Sequence, residues 1–339
     1  MKFLIFKLNH IGDALLMTPA LRLLRKKFPE ARIDVAVRRG GELVLAENPD
    51  IDNLLILAAP RGEKNPASFL ENFKKLCAQR YDYAFDLSGS DRARFWMLLS
   101  LARKRCAIDA YGELSWKRSF YHFTSSFLWG KEHQALKDIH AIADVLGIAP
   151  EIHPLVMNVE ISQDILSGKL PFLNFSKPFA IIHPTSRWTF KQWTPERWAH
   201  VADALAENFK LDVIFSCGPD AKEIQHAQNI LNLSKKTHCS TEGKLSLREL
   251  GALIKQSRIF LGVDTVAMHI AAAVQTPSVA LFGPSSEWSW RPWECRHELA
   301  LGDCSCKQTR KFICDKTRPY PCMESITVEN VLEKTRLLL

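Results

Sequence analysis

The chain has 339 residues, of which 47% are hydrophobic and 24% charged, a composition typical of a globular protein of about two domains. No apolar run is long enough for a membrane-spanning helix, and the start MKFLIFKLNHIGD resembles a buried strand more than a signal peptide, so we expect a cytoplasmic protein. The net charge is +8, of which residues 1–150 carry +6. This surplus predicts an anionic partner (a phosphorylated glycan, nucleic acid or anionic membrane), although an ordinary solvated basic surface also explains it.

Strand and helix patterns alternate from the N-terminus onwards. Strands are predicted over residues 3–8, 33–37, 53–57 and 83–87. Helices are predicted over 13–28 with a break at Thr18-Pro19, and over 41–47, 66–79, 91–102 and 134–146. This alternation is typical of a parallel, doubly wound sheet.

Residues 111–133 interrupt the alternation with many aromatic and basic side chains. Such a segment can be a lid over substrate or an interfacial membrane contact. A loop whose aromatic rings pack into the core is an equally good interpretation.

A second alternating series follows a proline-rich segment. We predict an N-terminal domain over 1–160, a linker over 161–177 and a second domain over 178–339. Strands are predicted over 179–183, 211–216, 237–239, 258–263 and 278–282, with helices over 195–208, 221–231, 247–257, 265–273 and 327–339. Two doubly wound domains facing a cleft would bind ligands at the carboxyl ends of their strands.

Four strand ends carry polar side chains suited to chemistry. After the first strand, Gly12 permits a tight turn and Asp13 sits at a helix start, where an ionised carboxylate could act as a general base or simply cap the helix. In the segment HPTSRWTFKQW, Thr185, Ser186 and Lys191 could hold a diphosphate and stabilise its charge as it departs, although surface loops are often rich in these residue types.

The other two strand ends lie further along the chain. Residues 217–223 form a glycine turn into a helix, where a carboxylate could bind a nucleoside and Asp220 could act as a cap. Residues 260–283 form a strand–turn–helix–strand unit, in which Asp264, Thr265 and His269 could converge on one anion at the helix N-terminus. The alternative is an ordinary crossover with Asp264 as N-cap and His269 as a structural buried histidine.

Several common site types do not fit the sequence. It contains no GxGxxG and no P-loop, which disfavours a dehydrogenase or NTPase, and no DxD-like carboxylate pair for a metal on a diphosphate. Cysteines 304, 306, 314 and 322 could hold a structural zinc, but they lack the close pairs of most zinc sites, and cytosolic cysteines are normally reduced thiols.

Together these stretches resemble the bacterial lipopolysaccharide heptosyltransferases of glycosyltransferase family 9. The resemblance is carried by residues 7–13 with Thr18-Pro19, residues 185–191 with Trp193, residues 218–223, and residues 264–269 running on to 282–284. The start LNHIGDALLMTP is most similar to heptosyltransferase III-like members. The resemblance implies a GT-B fold, an α/β architecture of two Rossmann-like domains, and an inverting, metal-independent transferase that needs no cofactor.

The resemblance also implies roles for individual residues. The donor ADP-L-glycero-D-manno-heptose would bind mainly to the second domain, and a lipopolysaccharide core acceptor to the first, with no nucleic-acid partner. Asp13 would be the general base, and Lys191 would stabilise the departing diphosphate. The remaining donor residues would be Thr185, Ser186, Glu223, Asp264, Thr265 and His269. The candidate acceptor contacts are His10, Arg38, Arg39, Arg61, Lys64, Arg92 and Arg94.

One departure from the family pattern bears on the donor. The family often has Asp-Thr-Gly before the histidine, whereas this chain has Asp264-Thr265-Val266. Valine leaves the backbone amide but adds bulk where glycine allows close approach to phosphate. A related GT-B transferase using another nucleotide sugar, or a non-catalytic protein that binds anionic glycans or membrane, therefore remain alternatives.

Overall fold

The computed structural model describes residues 1–58, 66–109, 114–127, 132–303 and 320–339. The chain divides into two compact units, Met1–Asn158 and Val159–Leu339. Within the described residues no helix is long and apolar enough to cross a membrane.

The N-terminal unit is a six-stranded parallel sheet with the strand order β3-β2-β1-β4-β5-β6. Its strands are β1 (Lys2–Lys7), β2 (Arg32–Arg38), β3 (Asn53–Ala58), β4 (Tyr83–Asp86), β5 (Lys104–Ile108) and β6 (Phe123–Ser125). Its helices are α1 (Ile11–Leu16), α2 (Thr18–Lys27), α3 (Glu42–Leu45), α4 (Pro66–Gln79), α5 (Asp91–Leu99) and α6 (Gln134–Leu146), with a 3₁₀ helix over Ser115–Phe120.

The direction of the chain across this sheet reverses between β1 and β4. The helix predicted from Asp13 begins at Ile11 and breaks, as expected, at Thr18-Pro19. Phe6 of β1 pairs with Asp86 of β4, so both strands end at the same edge. In open α/β sheets this reversal point is where ligands bind, outside the carboxyl ends of the strands.

The aromatic segment from residue 111 onwards contributes both to the core and to the surface. Leu114 and Tyr121 are buried in the core of the N-terminal unit, whereas Trp116 and Phe123 are exposed. Tyr111, Trp129 and Lys131 lie outside the described residues. The segment also contains β6, which the sequence analysis did not predict, and β5 before it was likewise missed.

The C-terminal unit repeats the architecture with the strand order β12-β11-β10-β7-β8-β9, again all parallel. Its strands are β7 (Phe179–His183), β8 (Asp212–Phe215), β9 (Cys239–Ser240), β10 (Ile259–Val263), β11 (Ser278–Phe282) and β12 (His297–Leu301). Its helices are α7 (Gln163–Lys169), α8 (Pro195–Asn208), α9 (Ala221–Leu233), α10 (Leu247–Gln256), α11 (Val266–Ala273), α12 (Glu287–Trp290), α13 (Pro321–Glu324) and α14 (Val328–Leu338), with a 3₁₀ turn at Thr189–Lys191.

Helices α7, α12 and α13 and strand β12 of this unit were not predicted from the sequence. The segment 161–177 was predicted as a linker, but it contains α7, and Lys169 of that helix pairs with Glu249 of α10 at 2.8 Å. The edge strand β12 and the short α13 were also missed. A side chain at Gly283 would collide with Met323 of α13, so the C-terminal segment packs directly on the end of β11.

The four tail cysteines considered for zinc are only partly described. Cys322 is buried beside Gly283, whereas the other three, at positions 304, 306 and 314, lie outside the described residues. Among the described residues, no group of three His, Cys, Asp or Glu side chains is arranged to hold a metal ion.

Candidate active site

Asp13 lies at the carboxyl edge of the N-terminal sheet, in the first turn of α1. It is the third helical residue, and its Oδ2 accepts a hydrogen bond of 2.9 Å from the backbone N–H of His10. The carboxylate is therefore oriented by its own helix and is buried, while His10 is exposed. A carboxylate in the first turn of a helix interacts favourably with the helix dipole, and a carboxylate positioned in this way can act as a general base towards a hydroxyl.

A charged cluster close to Asp13 was missed by the sequence analysis. Lys7, at the end of β1, donates to Asp138 Oδ2 at 2.5 Å and to the carbonyl of Leu87 at 3.2 Å, and both charged side chains are buried. Burial raises the pKa of Asp138, while the Lys7 ammonium opposes that shift. Burial also lowers the pKa of Lys137, and Lys7 lowers it further.

Asp13 belongs to the same electrostatic neighbourhood. Its negative charge opposes the lowering of the Lys137 pKa and adds to the raising of the Asp138 pKa. The signal in the sequence was a single lysine ending the apolar strand KFLIFK, but its partner lies 131 residues away. Sequence spacing alone could not join the two.

Among the candidate acceptor residues, Arg38, Arg39 and Arg92 are accessible to solvent and Arg94 is buried. Arg38 ends β2 and is half-buried, and the neighbouring Arg39 is exposed. Arg92 is exposed on α5, whereas Arg94 is buried and its Nε donates to the Tyr121 hydroxyl at 3.2 Å. Arg61 and Lys64 lie outside the described residues.

The Tyr121 hydroxyl in turn donates to Asp86 Oδ2 at 2.8 Å. Asp86 ends β4, and its Oδ1 accepts hydrogen bonds from the backbone N–H groups of Ser88 and Gly89. Burial raises the pKa of Asp86. This network fixes the loop after β4 at the reversal point of the sheet.

In the C-terminal unit, Thr185 and Glu223 meet at the carboxyl edge. The Thr185 hydroxyl donates to Glu223 Oε2 at 2.7 Å, and the Gly218 N–H donates to the same oxygen at 2.9 Å. A side chain at Gly218 would lie 2.9 Å from this oxygen, so glycine is what lets the carboxylate approach. Asp220 caps α9 through its bond to the Lys222 N–H, as the sequence suggested.

His183 ends β7 beneath these groups. Burial lowers its pKa to about 4, although the Glu223 carboxylate opposes the shift, so the ring is neutral at pH 7. Its Nδ1 lies 2.9 Å from the Ser216 hydroxyl. The imidazole is therefore an uncharged, hydrogen-bonded group at the sheet edge that precedes Thr185.

Lys191 and Asp264 form an ion pair across the reversal point of the C-terminal sheet. Lys191 Nζ lies 2.5 Å from Asp264 Oδ2, which joins the loop after β7 to the loop after β10. Ser186 is buried in the same loop, where its hydroxyl accepts from the Trp188 N–H at 3.2 Å.

The N-terminus of α11 begins at the next residues. Thr265, not Asp264, is the N-cap, with an extended backbone. Within the described part of the chain, the buried Thr265 Oγ1 has no hydrogen-bond partner. His269 is buried one turn further along. The fold thus places Thr185, Lys191, Glu223 and Asp264 after three neighbouring strands, β8, β7 and β10.

Comparison with known proteins gives the family. The sequence profile of glycosyltransferase family 9 (heptosyltransferase) matches residues 70–318. The chain belongs to glycosyltransferase family 9. Lipopolysaccharide heptosyltransferase 3 of Escherichia coli (strain K12) is 30% identical to it over 350 residues, covering 98% of this chain and 96% of that protein.

More distant relatives agree with this family 9 assignment. The lipopolysaccharide core heptosyltransferase OpsX of Haemophilus influenzae is 25% identical, covering 82% of this chain and 78% of that protein. The family 9 glycosyl transferase of Veillonella parvula has a similar structure, with a TM-score of 0.83, 22% identity and coverage of 99% and 96%. The E. coli heptosyltransferase WaaC with ADP-2-deoxy-2-fluoro heptose gives a TM-score of 0.75 at 17% identity, covering 99% of each chain. The chain is therefore a glycosyltransferase, and its fold class is GT-B.

Proposed function

We propose that this enzyme transfers a heptose from ADP-L-glycero-D-manno-heptose to a sugar hydroxyl of the lipopolysaccharide inner core. The observation that carries the proposal is the group of hydroxyl, ammonium and carboxylate side chains at the reversal point of the C-terminal sheet, in a family 9 chain. Relatives named for heptose transfer to lipopolysaccharide support the choice of substrates.

The donor's diphosphate would be held by Thr185, Ser186 and Lys191, next to the N-terminus of α11. A cation and a helix N-terminus both favour the negative charge that grows on the diphosphate as it leaves. Glu223 would reach the nucleoside, and Asp264, Thr265 and His269 would line the remainder of the donor site.

The reaction would be a single displacement with inversion. Asp13 takes the proton of the acceptor hydroxyl while that oxygen forms a bond to the anomeric carbon. The bond between the anomeric carbon and the β-phosphate oxygen breaks at the same time, and ADP leaves with the electron pair. Lys191 stabilises that leaving charge.

The acceptor would be recognised by the basic edge of the N-terminal unit. His10, Arg38, Arg39 and Arg92 are proposed to contact its phosphates or acidic sugars, since guanidinium groups bind such anions in a bidentate manner. The buried Arg94 is proposed to act indirectly on acceptor binding, by fixing the position of the Tyr121 hydroxyl through a hydrogen bond. Arg61 and Lys64 complete the proposed set.

We also propose that the enzyme works in the cytoplasm, in peripheral contact with the inner membrane. Trp116 is 69% exposed and Phe123 44% exposed, and they lie beside the basic residues Lys104, Lys117 and Arg118. Exposed aromatic rings next to cations are suited to an anionic lipid surface.

The variant Trp116→Ala/Phe123→Ala should lose sedimentation with phosphatidylglycerol vesicles. The control Leu233→Ala, which removes an exposed apolar side chain of the other unit, should retain it. Equal sedimentation of both variants would exclude this surface.

Donor choice tests the main proposal. ADP-heptose and ADP should raise the melting temperature, and incubation with ADP-heptose and a heptose-deficient core acceptor should release ADP and add one heptose mass to the acceptor. Stabilisation by a UDP-sugar but not by ADP or ADP-heptose would favour a related GT-B transferase with another donor. ADP binding without transfer to any core acceptor would favour a non-catalytic binding protein.

A further inference from the structure

The ammonium of Lys191, which the proposed function assigns to the donor's diphosphate, already forms an ion pair with Asp264. The two side chains are only 22% and 7% exposed, and their charged atoms lie 2.5 Å apart. A charge-assisted hydrogen bond of this kind is about twice as strong as a neutral one. The ammonium is therefore already neutralised by a carboxylate of the protein.

The neighbouring donor groups show the same arrangement. The Thr185 hydroxyl and the Gly218 N–H both donate to Glu223 Oε2. Two protein carboxylates thus satisfy the hydroxyl, amide and ammonium groups of this edge, as buried polar groups require. Carboxylate oxygens and phosphate oxygens are interchangeable acceptors for such donors.

We propose that Asp264 competes with the diphosphate for Lys191 and so speeds the release of the nucleoside diphosphate product. When a diphosphate binds, Lys191 Nζ exchanges the carboxylate for a phosphate oxygen, and Asp264 is left as an uncompensated negative charge near another anion. When ADP leaves, Asp264 recaptures the ammonium. This inference rests on the proposed function and adds a determinant of product release.

Neutralising Asp264 tests the exchange. The variant Asp264→Asn keeps the size of the side chain but removes both the competing charge and the repulsion, so ADP should bind about tenfold more tightly, equivalent to 1.4 kcal/mol at 25 °C. Most of that gain should be a slower dissociation rate, because changes at one interface act mainly on the off-rate. Isothermal titration with ADP and a stopped-flow chase of bound ADP measure the two quantities.

Two further variants separate the exchange from a general electrostatic effect. In a Lys191→Met background, Asp264→Asn should improve ADP affinity by less than tenfold, because only the repulsion between Asp264 and the diphosphate is left to remove; an equal or larger gain would mean that repulsion alone, and not competition for Lys191, explains the effect. Glu298→Gln, which breaks the 3.2 Å pair between Lys334 and Glu298 in the same unit, should leave ADP affinity unchanged. Should Asp264→Asn fail to fold by circular dichroism, Asp264→Ser provides the same test with a smaller polar side chain.

The outcomes distinguish this inference from the proposed function. If the wild-type enzyme binds ADP and transfers heptose, but Asp264→Asn binds ADP equally well or more weakly, the exchange is wrong and the proposed function stands. Weaker binding would mean that Asp264 helps to hold the diphosphate through Lys191 instead of competing with it. If the wild-type enzyme binds no ADP, the proposed donor fails and the exchange fails with it.

Discussion

Replacing Asp138 with leucine should strongly destabilise the N-terminal unit. Lys7 is 1% exposed and Asp138 is not exposed at all, and their charged atoms are 2.5 Å apart. Removing one partner of a buried ion pair leaves an uncompensated buried charge and typically costs about 3–5 kcal/mol. In Asp138→Leu, the Lys7 ammonium would lose its ion pair and keep the hydrogen bond of 3.2 Å to the Leu87 carbonyl.

Asp138→Leu is one member of a double-mutant cycle, and the other two variants of that cycle should behave differently. The double variant Lys7→Met/Asp138→Leu removes both charges and should recover most of the loss, because apolar replacements of a buried pair are often neutral. Lys7→Met alone leaves a carboxylate whose pKa is raised by burial and no longer opposed by the ammonium. A folded-state pKa above the unfolded value means that the folded state binds more protons, so this variant should become more stable as the pH is lowered.

Urea denaturation followed by tryptophan fluorescence measures these changes. Hydrogen exchange of a peptide containing β1 assigns the transition to the N-terminal unit. The exposed pair between Glu71 and Lys75 provides a control, and Glu71→Gln should not measurably change the unfolding curve. A loss below about 1 kcal/mol for Asp138→Leu, or a double variant as unstable as that single variant, would refute this reasoning.

Three further predictions concern single side chains of the C-terminal unit. Thr185→Val removes the hydroxyl that donates to Glu223, so it should cost about 1–3 kcal/mol and weaken ADP binding in a titration, whereas Thr185→Ser should retain both; undiminished ADP affinity in the valine variant would contradict the site. Burial raises the pKa of Asp203, but hydrogen bonds from two backbone N–H groups and His238 outweigh it, so the pKa is lowered and the stabilising effect is lost as the pH falls through that lowered pKa; Asp203→Asn should therefore reduce the melting temperature by more at pH 7 than at pH 3, and equal reductions at both pH values would contradict this. Val266→Gly restores the glycine of the family pattern at the first residue of α11 and should raise kcat/KM for ADP-heptose relative to other nucleotide sugars, whereas an unchanged ratio would show that Val266 does not select the donor.

Secondary structure was predictable where local chemistry marks the boundaries. The bounds predicted for α4, α6 and α8 match the structure, and α8 begins after the cap Thr194 with a proline at its first position. The strands β6 and β12 were missed because both lie at sheet edges, where one side needs no strand partner and the sequence is short or polar. Strand β5 was missed because it begins with charged residues, which are not typical of a buried strand.

The location of the candidate site was also predictable, but its internal pairing was not. Parallel strands bring their carboxyl ends to one edge, so polar residues after β7, β8 and β10 had to lie near each other once the sheet was predicted. Which groups pair depends on side-chain directions in the folded chain. Lys191 meets a carboxylate 73 residues away, and no spacing rule distinguishes Asp264 from other acidic residues. The GT-B class came from the family resemblance, which the family 9 match supports.

The most direct test of the central claim is the transfer rate of Asp13→Asn with ADP-heptose and a lipopolysaccharide core acceptor. Asparagine keeps an oxygen that can accept the His10 N–H, so α1 should remain capped and ADP affinity should stay close to that of the wild type. Without a carboxylate to take the acceptor proton, kcat should fall by about 10²–10⁴-fold. Near-normal turnover of Asp13→Asn would show that Asp13 is not the general base and would contradict the mechanism proposed for this enzyme.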